Sequence, residues 1–136
     1  MNDLEFVLRA VDRLRSEGIR TWVCGSWGEE LRGLAPPGPH ADLDVLYPAR
    51  DWQRVDALDW VDDGRVGWRR TFSLESTLVE LYLVERDEHG WFTRHGRSRH
   101  DWPDDVFATN GRIAVASAAA LADFRRAHRR PGRRAA

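Results

Sequence analysis

Apolar residues recur at helical spacing from the start of the chain. Leu4, Val7, Leu8, Val11 and Leu14 fall on one face, which predicts a first helix capped by Asn2 or Asp3 and stopped at Gly18. Residues 19–24 then read as a buried strand, broken by Gly25-Ser26. A short helix over 27–33 leads into "GLAPPGPH", a rigid loop with three prolines and two glycines in eight residues. Residues 42–47 read as a strand and 49–58 as a helix. Strand composition returns at 66–72 and 77–84, and 73–76 between them predicts an antiparallel hairpin. The stretch 86–105 is polar and turn-rich and is expected to be a loop; 106–113 is expected to hold a short strand or hairpin. An Ala-rich helix over 117–128 puts Leu121 and Phe124 on one side, and "RRPGRRAA" follows as a frayed basic tail.

That order of elements predicts an α/β (α+β) fold, a small mixed sheet with helices packed on it. A chain of 136 residues suits one domain, by the usual range of roughly 100 to 200 residues. The domain is expected over 1–128, with 129–136 a disordered basic tail. Net charge is −1, so no global field recruits nucleic acid or anionic membrane, and neither is expected as a partner. The single cysteine, Cys24, excludes an intrachain disulfide framework and a Cys-based zinc site. With charges throughout the first eighteen residues, neither a signal peptide nor a membrane span is expected there, and the expected location is the cytoplasm.

The chemistry begins where strand propensity is violated. Aspartate is a poor strand former, yet Asp42 and Asp44 open one strand and share a face, with Leu43, Val45 and Tyr47 on the other. In "TLVELYLVE", Glu80 shares a face with Leu78 and Tyr82. If the two strands are neighbours, three carboxylates converge. Like charges that close repel unless a cation neutralises them, and hard oxygen ligands suit Mg²⁺ or Mn²⁺. Paired metals about 3.5–4 Å apart, held by carboxylates, stabilise attacking and leaving oxygens at phosphorus. The plainer reading of each acidic residue is a solvated strand end. Upstream, Gly25-Ser26 stands between a strand and a helix, where backbone N–H groups can hold phosphate oxygens; the plainer reading is a turn with a helix cap.

The order strand, Gly-Ser, helix, loop, Asp-x-Asp strand and later acidic strand resembles the nucleotidyltransferase superfamily related to DNA polymerase β. More narrowly, "WVCGSWGEELRG…PHADLDVLYP" resembles the small lincosamide and aminoglycoside adenylyltransferases, which carry Gly-Gly-Trp and then His-x-Asp-x-Asp. The resemblance implies a nucleotidyltransferase fold. It implies transfer of a nucleoside monophosphate from a nucleoside triphosphate to a small-molecule hydroxyl, with pyrophosphate released. Asp42 and Asp44 would be Mg²⁺ or Mn²⁺ ligands and Glu80 a third ligand or the general base. Gly25 and Ser26 would hold the triphosphate, with Trp27, Arg32 and His40 also at the nucleotide. The narrower resemblance implies an antibiotic as the acceptor, by analogy of fold and motif. Two arginines common in the family are replaced here by Leu34 and Gly38, and Arg32, Arg69 or Arg70 would have to restore the positive charge. Their loss supports an alternative: a catalytically silent module of this fold, such as an antitoxin-like partner protein. A short open sheet can also pair with a second copy as a homodimer.

Of the seven tryptophans, Trp27, Trp68 and Trp91 could line a pocket, but core packing with a wet edge is the plainer role. His89, His95, His100 and His128 have no metal-ligand spacing and are expected on loop surface. Six arginines between Arg125 and Arg134 could touch RNA, although a solvated tail is the simpler reading.

Overall fold

Asp3 caps the first helix, α1 (Leu4–Ser16), by accepting a 2.9 Å hydrogen bond from the Phe6 amide. The computed structural model describes residues 2–59 and 66–128; the expected basic tail lies outside them. The buried stripe of α1 is Phe6, Val7, Ala10, Val11 and Leu14, one step round from the predicted face, and Leu4 is exposed. Each fully buried aliphatic side chain there contributes about 1.5–3 kcal/mol.

The predicted strand over 19–24 contracts to β1 (Trp22–Cys24), and α2 (Gly25–Leu31) starts directly at Gly25. β2 (Asp42–Pro48) follows the Pro-rich loop. The helix expected over 49–58 is a single turn, α3 (Gln53–Asp56). The Ala49 amide still bonds to the Val84 carbonyl, so the chain stays tied to the sheet past Pro48 and cannot wind earlier. The hairpin is present as β3 (Arg69–Leu74) and β4 (Thr77–Asp87). Its two-residue loop, Glu75-Ser76, has φ of 52° and 67°, the left-handed pair of a type I′ turn without glycine. Arg9 of α1 grips Glu75 with two hydrogen bonds of 2.7 and 2.6 Å and fixes that turn against the helix.

The polar stretch expected as a loop continues the sheet. β5 (Gly90–His95) and β6 (Ser98–Asp101) are antiparallel strands joined through two-residue loops, Glu88-His89 and Gly96-Arg97. Polar side chains hold them where apolar periodicity is missing. Thr93 Oγ1 donates to the Leu83 carbonyl at 2.7 Å and accepts from Trp102 Nε1 at 2.8 Å. Arg99 makes a fork of 2.6 and 3.0 Å on Asp87, and this guanidinium holds the Asp87 carboxyl well below the usual carboxylate range. The strand or hairpin expected over 106–113 is absent; a short bridge instead sets Val115 beside Val23 and covers the β1 edge. α4 (Ala118–His128) closes the fold.

The six-stranded mixed sheet runs β1-β2-β4-β5-β6, with β3 on the other side of β4 from β2. Both faces are covered. Leu43, Val45, Val79 and Leu81 pack under α1, whereas Leu46, Tyr82 and Val84 pack under α4 with Trp102 and Val106. The strand face that carries the carboxylates therefore becomes core further along, which the sequence pattern alone had assigned only to the opposite face.

Arg70 belongs to this framework. Its buried guanidinium lies 4.5 Å over the Trp52 ring, forks onto Asp56 at 2.7 and 3.1 Å and donates to the Val66 carbonyl at 2.5 Å. Arg70→Ala removes the stacking on Trp52 together with the hydrogen bonds to Asp56 and Val66, and is expected to cost about 3 kcal/mol by urea denaturation. An unchanged midpoint would show that the pair holds nothing together.

Candidate active site

β2 and β4 run parallel with Asp44 opposite Glu80, so side chains at these two positions leave the sheet on one face. Asp42 lies two residues before Asp44 on the same face. One oxygen from each of Asp42, Asp44 and Glu80 lies within 4.8 Å of the other two. Burial, then the Asp42 charge, then Glu80 push the Asp44 carboxyl up to about 9, against a smaller opposing pull from Arg69. Burial, and secondarily Glu80, also raise Asp42. Asp44 Oδ1 is buried without a hydrogen-bond partner. Three hard donors, one of them buried and unpartnered, fit a divalent cation of the Mg²⁺ or Mn²⁺ type.

Tyr82, to which the sequence reading gave no role beyond sharing a face with Glu80, donates its hydroxyl to Glu80 Oε2 at 2.8 Å. Burial and the neighbouring carboxylates raise its phenol. The i, i+2 spacing on one strand face was the signal for it.

Antiparallel pairing puts Cys24 of β1 opposite Asp44, and the next residue is Gly25. Gly25 has φ +64°, and a Cβ there would meet Asp44 Oδ2 at 2.5 Å. The start of α2 is thus pressed against the middle carboxylate, at a distance only glycine allows. Ser26 is exposed beside it, its Oγ 2.8 Å from His40 Nδ1. His40 Nε2 meets Glu30 Oε1 at 2.7 Å. An ionised carboxylate only accepts, so Nε2 carries a proton, and in the neutral ring Nδ1 accepts from the Ser26 hydroxyl. The His40 hydrogen bond, with the Gly38 amide, lowers the Glu30 carboxyl. Sequence reading missed Glu30, one helical turn after Ser26, and Asn2, which donates 2.8 Å to the His40 carbonyl and accepts 2.8 Å from Trp27 Nε1.

Two residues expected at the nucleotide have other contacts. Trp27 is buried and stacked on His40 with ring centroids 4.0 Å apart, on the core side of the two readings weighed for it. Arg32 donates to the Ala116 and Val115 carbonyls at 2.5 and 3.2 Å and to Thr109 Oγ1 at 2.8 Å, tying the end of α2 to the 109–116 segment. Arg69, one residue from the framework Arg70, lines a cleft of about 800 Å³ that opens on Asp42, Asp44 and Glu80. Trp68, His95, His100 and His128 line the same cleft, so three of the histidines expected on loop surface stand on the wall of this site. Trp91 packs with the second core and sits under Arg86.

No protein-family model matches the chain, and no curated protein matches it in sequence. Solved structures do. The lincomycin-bound lincosamide antibiotic adenylyltransferase LnuA aligns with a TM-score of 0.69 at 17% identity, over 90% of this chain and 85% of that one. ANT(2")-Ia in complex with adenylyl-2"-tobramycin aligns with a TM-score of 0.61 at 15% identity, over 95% of this chain and 77% of that one. At such identities the likeness is one of fold.

Proposed function

Starting from a chain with the nucleotidyltransferase fold, we propose that it transfers a nucleoside monophosphate from a nucleoside triphosphate to a hydroxyl of a small molecule. The observation that carries this reading is the convergence of Asp42, Asp44 and Glu80 beside the glycine-only start of α2. Asp42, Asp44 and Glu80 would hold Mg²⁺ or Mn²⁺. When bound, the cation supplies neutralisation of the charge on the attacking and leaving oxygens.

Gly25 and Ser26 hold the triphosphate. Because the Ser26 hydroxyl is hydrogen-bonded to His40, the backbone N–H groups at the start of α2 are the donors that face phosphate oxygens. His40 and Glu30 keep that serine in place. The acceptor oxygen attacks the α-phosphorus, a new P–O bond forms, the bond to the β-phosphate bridging oxygen breaks, and pyrophosphate leaves. Glu80, steadied by Tyr82, completes the donor set and takes the proton the hydroxyl gives up.

ATP and GTP titrated calorimetrically into the protein, with Mg²⁺ and then with EDTA, test this reading. Binding of at least one nucleotide with the cation and none with EDTA is expected. If neither nucleotide binds in either buffer, the chain is the silent module of this fold, and a partner protein becomes the object of search.

A further inference from the structure

We propose that the acceptor carries a phosphate or carboxylate besides its hydroxyl, and that Arg69 and His100 receive this anionic group in the cleft beside the carboxylates. The inference rests on the nucleotidyl-transfer reading. Two basic side chains in this cleft lack hydrogen-bond partners among the described residues. Among the described residues, neither the Arg69 guanidinium nor the His100 ring makes a hydrogen bond or ion pair, and Arg69 Nε and His100 Nε2 are closed off from water without one. By contrast Arg70, Arg32 and Arg99 are all engaged.

Arg69 is near enough to Asp44 to oppose the rise of its carboxyl. Once the three carboxylates take a divalent cation, most of their charge is neutralised and the guanidinium fork still has no hydrogen-bond partner. Its planar fork matches phosphate and carboxylate oxygens.

Topology assigns this group to the acceptor and not to the triphosphate. Across the sheet the order is β1, β2, β4, β3, so Gly25 at the end of β1 and Arg69 at the start of β3 flank the carboxylates on opposite sides. In-line displacement puts the incoming hydroxyl and the departing pyrophosphate on opposite sides of the phosphorus. With pyrophosphate toward Gly25 and Ser26, the Arg69 side receives the acceptor. Trp68 and Phe124 give its body an apolar surface. No carboxylate beyond the central three lines the cleft among the described residues, so on its Arg69 side a polyamine acceptor would meet a guanidinium and histidines and no lining carboxylate.

The test is calorimetric titration of inorganic phosphate, and separately of acetate, with and without saturating Mg²⁺ and α,β-methylene-ATP. Wild type and the variants Arg69→Gln and Arg69→Lys are compared, with melting curves to check folding. Saturable binding of phosphate or acetate is expected with the nucleotide analogue in place; whichever binds tells a phosphorylated from a carboxylated acceptor. Arg69→Gln is expected to weaken it at least tenfold with analogue affinity unchanged, and Arg69→Lys to retain most of it. Absence of saturable binding, or equal binding in Arg69→Gln, overturns the proposal. So does an Arg69→Gln defect confined to the analogue, which would give Arg69 to the triphosphate. If the analogue does not bind at all yet phosphate binds through Arg69, the anion site stands and the transfer reading falls.

Discussion

Asp44→Asn is expected to abolish nucleotidyl transfer while making the metal-free protein more stable. The two effects have one cause. Asp44 is held between Asp42 and Glu80, and burial with those charges pushes its carboxyl up to about 9. In the unfolded chain the same carboxyl titrates near 3.8. Folding therefore takes up a proton between those values, and the stability of the metal-free protein falls as pH rises from about 4 toward 9. Asparagine keeps the shape, carries no titrating proton and removes that slope. It also removes the central anionic donor of the proposed cation site. Losing an interaction worth several kcal/mol in the transition state lowers turnover by about a thousandfold or more.

Pyrophosphate release and thermal melting with and without Mg²⁺ measure both. Wild type should gain stability on adding the cation, and the gain should increase with pH because fewer protons compete for Asp44. The variant should melt higher without cation and show no gain with it. Turnover within tenfold of wild type would remove Asp44 from the chemistry.

Gly25→Ala should be the second severe change, and it should harm activity more than stability. The left-handed φ of +64° costs an L-residue about 1–2 kcal/mol. The added Cβ would lie 2.5 Å from Asp44 Oδ2, so the carboxylate has to move. Misplacement of a reacting group by about 1 Å can cost about a hundredfold in rate. Steady-state kinetics beside a urea melt separate the two costs. A variant that melts like wild type and turns over like wild type would show that the contact between α2 and Asp44 has no consequence.

The carboxylates were legible in sequence because strand side chains alternate: the alternation put Asp42 with Asp44, and Glu80 with Tyr82, before any pairing was known. Parallel pairing of β2 and β4 then decided that Asp44 stands opposite Glu80. β5 and β6 were illegible because they are held by Thr93, Arg99 and Trp102 through polar contacts, which leave no apolar period to read. Arg69 and Arg70 are adjacent and chemically identical. Alternation says only that they face opposite ways; Asp56 and Trp52 on one side and the cleft on the other give one to the framework and one to the site. Glu30 and Asn2 gave no signal because their partners lie across a proline-rich loop.

By itself, the sequence determined the α/β class, the Gly-Ser break and the set of three acidic residues, because each is a local pattern of side chains along one strand or at one helix start. Tertiary structure alone decided the close contact of Gly25 with Asp44, the Ser26–His40–Glu30 chain and the gathering of Arg69 and His100 in one cleft. These depend on register and on packing between segments far apart in the chain, and no local periodicity encodes either.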